Sequence, residues 1–236
     1  MDALENLAYW NDPHTESMYD KNILRLEIEA IKREICVGST ILDFGCGDGE
    51  STEEYSKIGH VIGVDFSEVR LEMARKRLPD VVFMQGDVRN AHTFGQYDVV
   101  IAQRLLINLA SWEEQSIAID HLMNMVKPDG KLLLSEGSLN GVNRLNRMRA
   151  VYDLNPIPIP EHNVFIDDAF LETVCDLKKV KSGLGAYYFL TRGIQPALTD
   201  DIKWDSRFNL ASSIDEIQKL LDLGEFSRIK IWKGTK

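Results

Sequence analysis

The sequence predicts an α/β domain built on a doubly wound, mostly parallel sheet, and three observations carry that expectation. Residues 41–50, ILDFGCGDGE, pass from an apolar run through an acid into glycines at alternate positions, Gly45, Gly47 and Gly49. This is the pattern of a buried strand feeding a glycine loop and a helix, where missing Cβ atoms let backbone N–H groups approach a ligand. Residues 60–66, HVIGVDF, form a second apolar run ending in Asp65, about twenty residues past the first glycine. At that spacing an acid at the next strand's C-terminal edge meets a ribose. Further apolar runs alternate with helical patterns as far as residue 135, as βαβ units require.

At 236 residues with 44% hydrophobic content, the chain can bury one large core, so one domain with insertions is the economical reading. Its parts are an N-terminal lid and helix over 1–36, a core over 37–137, an insertion over 138–165 and a second insertion over 193–225 before the last strand. The opening MDALENLAYWND has an early acid and no basic start before an apolar run, so it does not read as a secretory signal. No apolar stretch approaches bilayer length. Cys36, Cys46 and Cys175 form no C-x-x-C pair and leave one over, which suits free thiols in a reducing, cytoplasmic setting. A formal net charge of −10 disfavours nucleic acid, whose binding needs a basic face. Arg144, Arg147 and Arg149 on one helical segment read as a solvated face rather than such a patch.

The loop carries Glu50 where a dinucleotide fingerprint places its last glycine or alanine, which weakens a nicotinamide or flavin reading. DFGCGDG, VDFS, GDV and YDVVIAQ, in that order and spacing, resemble the motifs of class I S-adenosylmethionine-dependent methyltransferases, strongly over 41–136 and loosely in the flanks. The resemblance implies a Rossmann-like, seven-stranded sheet, mostly parallel with an antiparallel C-terminal strand. It also implies a core over 37–137 that binds S-adenosyl-L-methionine and releases S-adenosyl-L-homocysteine, with 138–165 capping the acceptor.

Taken in order, residues 4–22 hold aromatic and turn-prone residues that could form a lid over the cofactor, through Trp10 or Tyr19, or could simply pack on the core. Residues 23–35 have apolar positions at helical spacing. Arg25 there lies where related enzymes often carry an arginine for the cofactor's carboxylate, against the alternative of a surface charge. The strand at 40–44 delivers Asp43 to the loop, where it can accept from the amino-acid end of the cofactor. Gly45 and Gly47 flank Cys46, a spacer with no base nearby to activate it. After a helix at 51–57, the resemblance implies that Asp65 holds the ribose hydroxyls and that Phe66 lies on the adenine.

Residues 67–78 read as a helix capped by Ser67 and stopped by Pro79. The strand at 81–85 ends in Gly86-Asp87-Val88, where the family uses the acid for the adenine amino group and the next backbone N–H for a ring nitrogen. The strand at 97–102 delivers Gln103 to the cofactor and Arg104 to the acceptor, at the carboxyl end of the sheet where ligands of open α/β folds bind. No N-P-P-Y or Pro-Cys sequence stands here. The acid and asparagine cluster of magnesium-dependent relatives is also absent, so no catalytic metal is expected. A helix at 112–126, a turn at Lys127-Pro128-Asp129-Gly130 with positive φ at the glycine, and a strand at 131–135 follow. Glu136 at that strand's end points toward the acceptor.

Residues 139–154 look helical, and 155–162 carry three prolines and cannot be regular structure. Asn146, Arg149, Tyr152, His162 and Asn163 form the pool of substrate ligands. A helix is expected at 167–175, an aromatic strand at 185–192, a helix at 214–223 and an alternating strand at 226–232, the two strands pairing antiparallel.

Methyl transfer from a sulfonium is an in-line displacement that needs alignment and exclusion of water. A hydroxyl acceptor also gains from a base. Glu136 and His162 are the candidates, with His121 set aside as structural inside an ordinary helix pattern. The acceptor is expected to be a small polar molecule methylated on oxygen or nitrogen, a sugar or sugar-linked metabolite ahead of an amine, because asparagine, arginine and histidine crowd 139–163. The other readings are a cofactor-binding protein without catalysis and a NAD-dependent oxidoreductase. A homodimer is compatible with all three, and no membrane partner is expected.

Overall fold

The computed structural model describes residues 8–12, 14–15, 18–90, 94–173, 175–198 and 223–236. Seven strands form one sheet: β1 (Thr40–Phe44), β2 (His60–Asp65), β3 (Val82–Gln85), β4 (Tyr97–Gln103), β5 (Val126–Gly137), β6 (Lys178–Lys179) and β7 (Ile229–Thr235). Their order is β3-β2-β1-β4-β5-β7-β6. The first five pair in parallel, and β7 runs antiparallel between β5 and β6. Chain order reverses between β1 and β4, the switch point at which open α/β sheets bind ligands.

Parallel strands are covered on both faces, so the central ones are apolar nearly throughout: Ile41, Leu42 and Phe44 in β1 and Val99 to Ala102 in β4 are buried. One face packs under α4 (Trp112–Asn124) through Ala118, Ile119 and Leu122. The other packs under α1 (Lys21–Lys32) through Ile23, Leu24, Ile28 and Ile31. Two further helices, α2 (Glu50–Ser56) and α3 (Glu68–Arg77), follow β1 and β2. Ser67 caps α3 by accepting from the Arg70 N–H, as its position predicts. After β5 come α5 (Leu139–Val151), capped by Ser138, and α6 (Asp168–Thr173).

Three expectations change. Residues 185–192 are not a strand: Leu184–Tyr188 is a helix, α7, which continues through a π-helical stretch, Phe189–Ile194, into α8 (Gln195–Leu198). Every residue of α7 is buried, which erases the period by which a helix is recognised, and the Thr191 hydroxyl bonds the Tyr187 carbonyl four residues back. The partner of β7 is instead the two-residue β6, a short edge strand presenting two lysines, which discourages further pairing. Residues 127–130, expected as a turn before the strand, fall inside β5, beside an irregularity in its pairing with β4, and the positive φ expected at the glycine lies on Asp129, at 62°. Gly130 serves close approach, since a Cβ there would lie 2.8 Å from Val126 and 2.9 Å from the Asp98 carbonyl. The helix expected at 214–223 lies outside the described residues but for its last position.

Candidate cofactor and acceptor cavity

A cavity of about 520 Å³ opens at the carboxyl ends of the parallel strands, a volume typical of small-molecule sites. Its floor is the glycine loop. Gly45, Gly47 and Gly49 have φ of 79°, 54° and 81°, which other residues rarely adopt. A Cβ on Gly47 would meet no atom within 4 Å, so this bare stretch of backbone faces open space in the cavity wall.

Asp43, at the end of β1, is 2% exposed and accepts from the Thr52 hydroxyl at 2.6 Å. Burial, reinforced by the field of Asp65, pushes its pKa up to about 6, against the Thr52 bond. Asp65, at the end of β2, accepts from the Gly47 N–H with one oxygen and the Ser67 N–H with the other, both at 2.9 Å. Burial raises its pKa as well. It thus ties the glycine loop to α3, and each oxygen keeps acceptor capacity at the cavity wall. Phe66, Val88 and Asp87 line the same end, where Asp87 is gripped by Arg89 through a guanidinium fork. Cys46 is buried and its thiol pKa is raised, chiefly by burial, consistent with an inert spacer.

Two buried donors in this wall lack a partner among the described residues: the indole N–H of Trp10 and the Nε2 of Gln103, whose Oε1 accepts from Tyr55. Buried N–H groups are seldom left so. The set fits S-adenosylmethionine: donors for its carboxylate, acids for its ammonium and ribose hydroxyls, and bare glycine backbone beside them. Trp10 and Tyr9 belong to a segment held down by Arg70, which donates to the carbonyls of Trp10, Asp12 and Thr15, while Asn11 accepts from Ser67. The expectation of an N-terminal cover thus meets a cavity wall containing Tyr9, Trp10 and Tyr19.

His162 lines the cavity as well, its ring 4.6 Å from that of Tyr9, and burial lowers its pKa below the usual 6.5. Asn163 lines it too and donates to Asn108 at 2.9 Å. Arg149 reaches it from α5, and Arg104 from the turn after β4. Arg104 is already paired with Glu27, a fully buried acid that also accepts from Ser135.

Four site expectations are corrected. Arg25 does not line the cavity: it pairs with Glu29 one turn along α1, because the buried face of that helix turns Glu27 inward instead. Glu136 is fully buried, and its carboxylate accepts the N–H groups of Leu105 and Leu106 at 3.0 Å and Ile107 at 3.3 Å. It holds the turn that lines the cavity and is not in the lining itself. Asn146 spends its amide on both backbone groups of Ile157, fixing the proline-rich loop against α5. Tyr152, just past α5, is 51% exposed and outside the cavity. His121 is structural, with Nδ1 against the Val88 carbonyl at 2.8 Å.

Arg70, Tyr188, Thr191, Arg192 and Arg228 also line the cavity and were not anticipated from the sequence. Glu27, which holds Arg104, was not anticipated either, although it stands as a charge on the buried face of the helix. Among the described residues no three His, Cys, Asp or Glu side chains could hold a metal ion together, and no helix is long and apolar enough to cross a membrane.

Residues 41–130 match the family described as Methyltransferase domain. The chain is 33% identical over 187 residues to the ubiquinone biosynthesis O-methyltransferase of Shewanella halifaxensis, covering 72% of this chain and 75% of that one. It is 30% identical over 116 residues to the demethylmenaquinone methyltransferase of Paenarthrobacter aurescens, covering 48% of this chain and 44% of that one, so it spans about half the length of some curated relatives. Among solved structures, magnesium protoporphyrin IX methyltransferase from Synechocystis shares the fold at 15% identity, with a TM-score of 0.55 over 99% of this chain and 94% of that one.

Proposed function

This chain belongs to the class I S-adenosylmethionine-dependent methyltransferases, and from that premise we propose that it methylates a hydroxyl oxygen on a small ring-bearing acceptor, with His162 as the base. The observation that carries the oxygen reading is the placement of His162. Of the two candidate bases, Glu136 is committed to backbone N–H groups, whereas His162 lines the cavity.

S-adenosylmethionine, when bound, supplies an electrophilic methyl group on a sulfonium, so the acceptor needs an exposed oxygen lone pair held in line with it. Partial burial keeps the His162 imidazole neutral at pH 7, ready to take the hydroxyl proton as the oxygen–methyl bond forms. The Tyr9 ring, tilted 31° against the imidazole, orients it, and Arg70 pins the segment that carries Tyr9 and Trp10 over the cavity wall. The sugar preference read from composition leaned on the asparagines, arginines and histidine of 139–163; Arg149, His162 and Asn163 line the cavity, but Asn146 is spent on the Ile157 backbone. Tyr9, Leu105, Ile107, Ile157, Pro160 and Phe165 give the cavity an apolar wall that favours a flat ring over a hydroxyl-rich one. The name of the Shewanella relative, an O-methyltransferase, supports the same atom.

The test is transfer of labelled methyl from S-adenosylmethionine to matched pairs of ring hydroxyls and ring amines, followed by mapping of the labelled atom. Label on oxygen is expected, with kcat/KM falling as pH drops through the depressed pKa of His162, since the protonated imidazole cannot accept a proton. Label on nitrogen alone, or a rate indifferent to pH between 5 and 8, would overturn it.

A further inference from the structure

The carboxylates in the cavity wall, Asp43, Asp65 and Asp87 among them, gather around the glycine loop and the ends of β2 and β3, where Arg70 and Arg89 stand with them, while three further arginines, Arg149, Arg192 and Arg228, come from α5, the π-helical stretch and the residue before β7. In a chain of net charge −10, cations elsewhere readily find acids, as Lys179 does with three of them.

Two of these arginines have not among the described residues. There Arg149 donates to backbone carbonyls, those of Asn155 and Arg192, makes no ion pair, and burial lowers its pKa. Arg228, half-buried, lies 5.2 Å over the Phe165 ring and makes no ion pair among the described residues. In the same cavity wall is Tyr188, a buried phenol with the Arg192 guanidinium 5.8 Å over its ring, which also feels the charge of Arg228 and donates no hydrogen bond among the described residues. Arg192 is itself paired with Asp20.

Partly burying a guanidinium without a counter-charge is costly, and an anion brought by the ligand offsets that cost. The planar fork of arginine matches a carboxylate with two parallel N–H donors, and a phenol hydroxyl adds a third. Resting on the methyltransferase reading above, we propose that Arg228, Arg149 and Tyr188 form a subsite for a carboxylate carried by the acceptor, so that the substrate is a ring hydroxy acid rather than a neutral alcohol. Phe165, under Arg228, gives the ring of that acid an apolar face to lie against. The position of the anion then fixes which hydroxyl is presented to His162.

Calorimetry tests this without turnover. The protein saturated with S-adenosylhomocysteine is titrated with a panel of ring hydroxy acids, 3,4-dihydroxybenzoate and its isomers among them, and with the matching neutral amides. Binding of at least one acid about tenfold or more tighter than its amide is expected, a discrimination of about 1.4 kcal/mol. Arg228→Gln should abolish that preference and Arg228→Lys should keep part of it, both with S-adenosylhomocysteine affinity within about twofold of the parent. Equal binding of acids and amides, binding of no acid at all, or a preference that survives Arg228→Gln would overturn the subsite. If neutral hydroxyls are methylated as well as acids, the subsite falls while the methyltransferase reading stands; if S-adenosylhomocysteine does not bind, the reading itself falls.

Discussion

Replacing His162 with alanine is expected to lower kcat by about 10² to 10⁴-fold toward a hydroxyl acceptor, the range a positioned general base supplies. Affinity for S-adenosylhomocysteine should stay within about twofold, because the role proposed for His162 is on the acceptor, and its ring packs on Tyr9. His162→Gln keeps a polar side chain of similar reach and should be about as slow, since it cannot take up the proton. A residual rate above about one tenth of the parent in both variants would remove His162 from the reaction.

Glu136→Ala is expected to destabilise the fold by about 3 kcal/mol or more, because two buried N–H groups, those of Leu106 and Ile107, and the partly buried one of Leu105 lose their acceptor, at roughly 1 to 3 kcal/mol for each buried group. Urea unfolding at constant pH measures this, and a change under about 1 kcal/mol would contradict it. Glu136→Gln keeps one acceptor oxygen and should cost less. Burial pushes the Glu136 pKa up to about 8 from its usual 4.5. A folded-state pKa above the unfolded one means the contribution is complete below about 4.5 and is lost as pH rises through about 8. Parent stability should therefore decline across that window, and Glu136→Gln, which does not ionise, should flatten the decline.

These two residues mark the boundary of what was legible in the sequence. The cofactor end is written in short strand–loop–helix segments, so Asp43, Gly45, Gly47, Asp65, Phe66, Asp87 and Gln103 could each be placed by local pattern, and all line one cavity. Strand order placed Glu136 correctly at the end of β5. It could not show that three N–H groups from the turn after β4 would converge on its carboxylate. The acceptor end is assembled from distant segments: Arg228 precedes β7, Tyr188 ends a helix buried all round, and Arg192 is held by Asp20, 172 residues earlier. No local period signals such a meeting. Asn146 misled for the opposite reason, since an asparagine on a helix facing an irregular loop serves the loop's backbone as readily as a ligand.

The most direct measurement is calorimetric titration of the protein with S-adenosylhomocysteine, with Asp65→Ala and Asp65→Asn beside the parent and NAD as the control ligand. Saturable binding to the parent is predicted, weakened by roughly 1.5 to 3 kcal/mol in Asp65→Ala through loss of a charged hydrogen-bond acceptor, and by less in Asp65→Asn, which keeps an oxygen for the Gly47 or Ser67 N–H. Binding of NAD in place of S-adenosylhomocysteine, or an Asp65→Ala affinity within about twofold of the parent, would contradict the account.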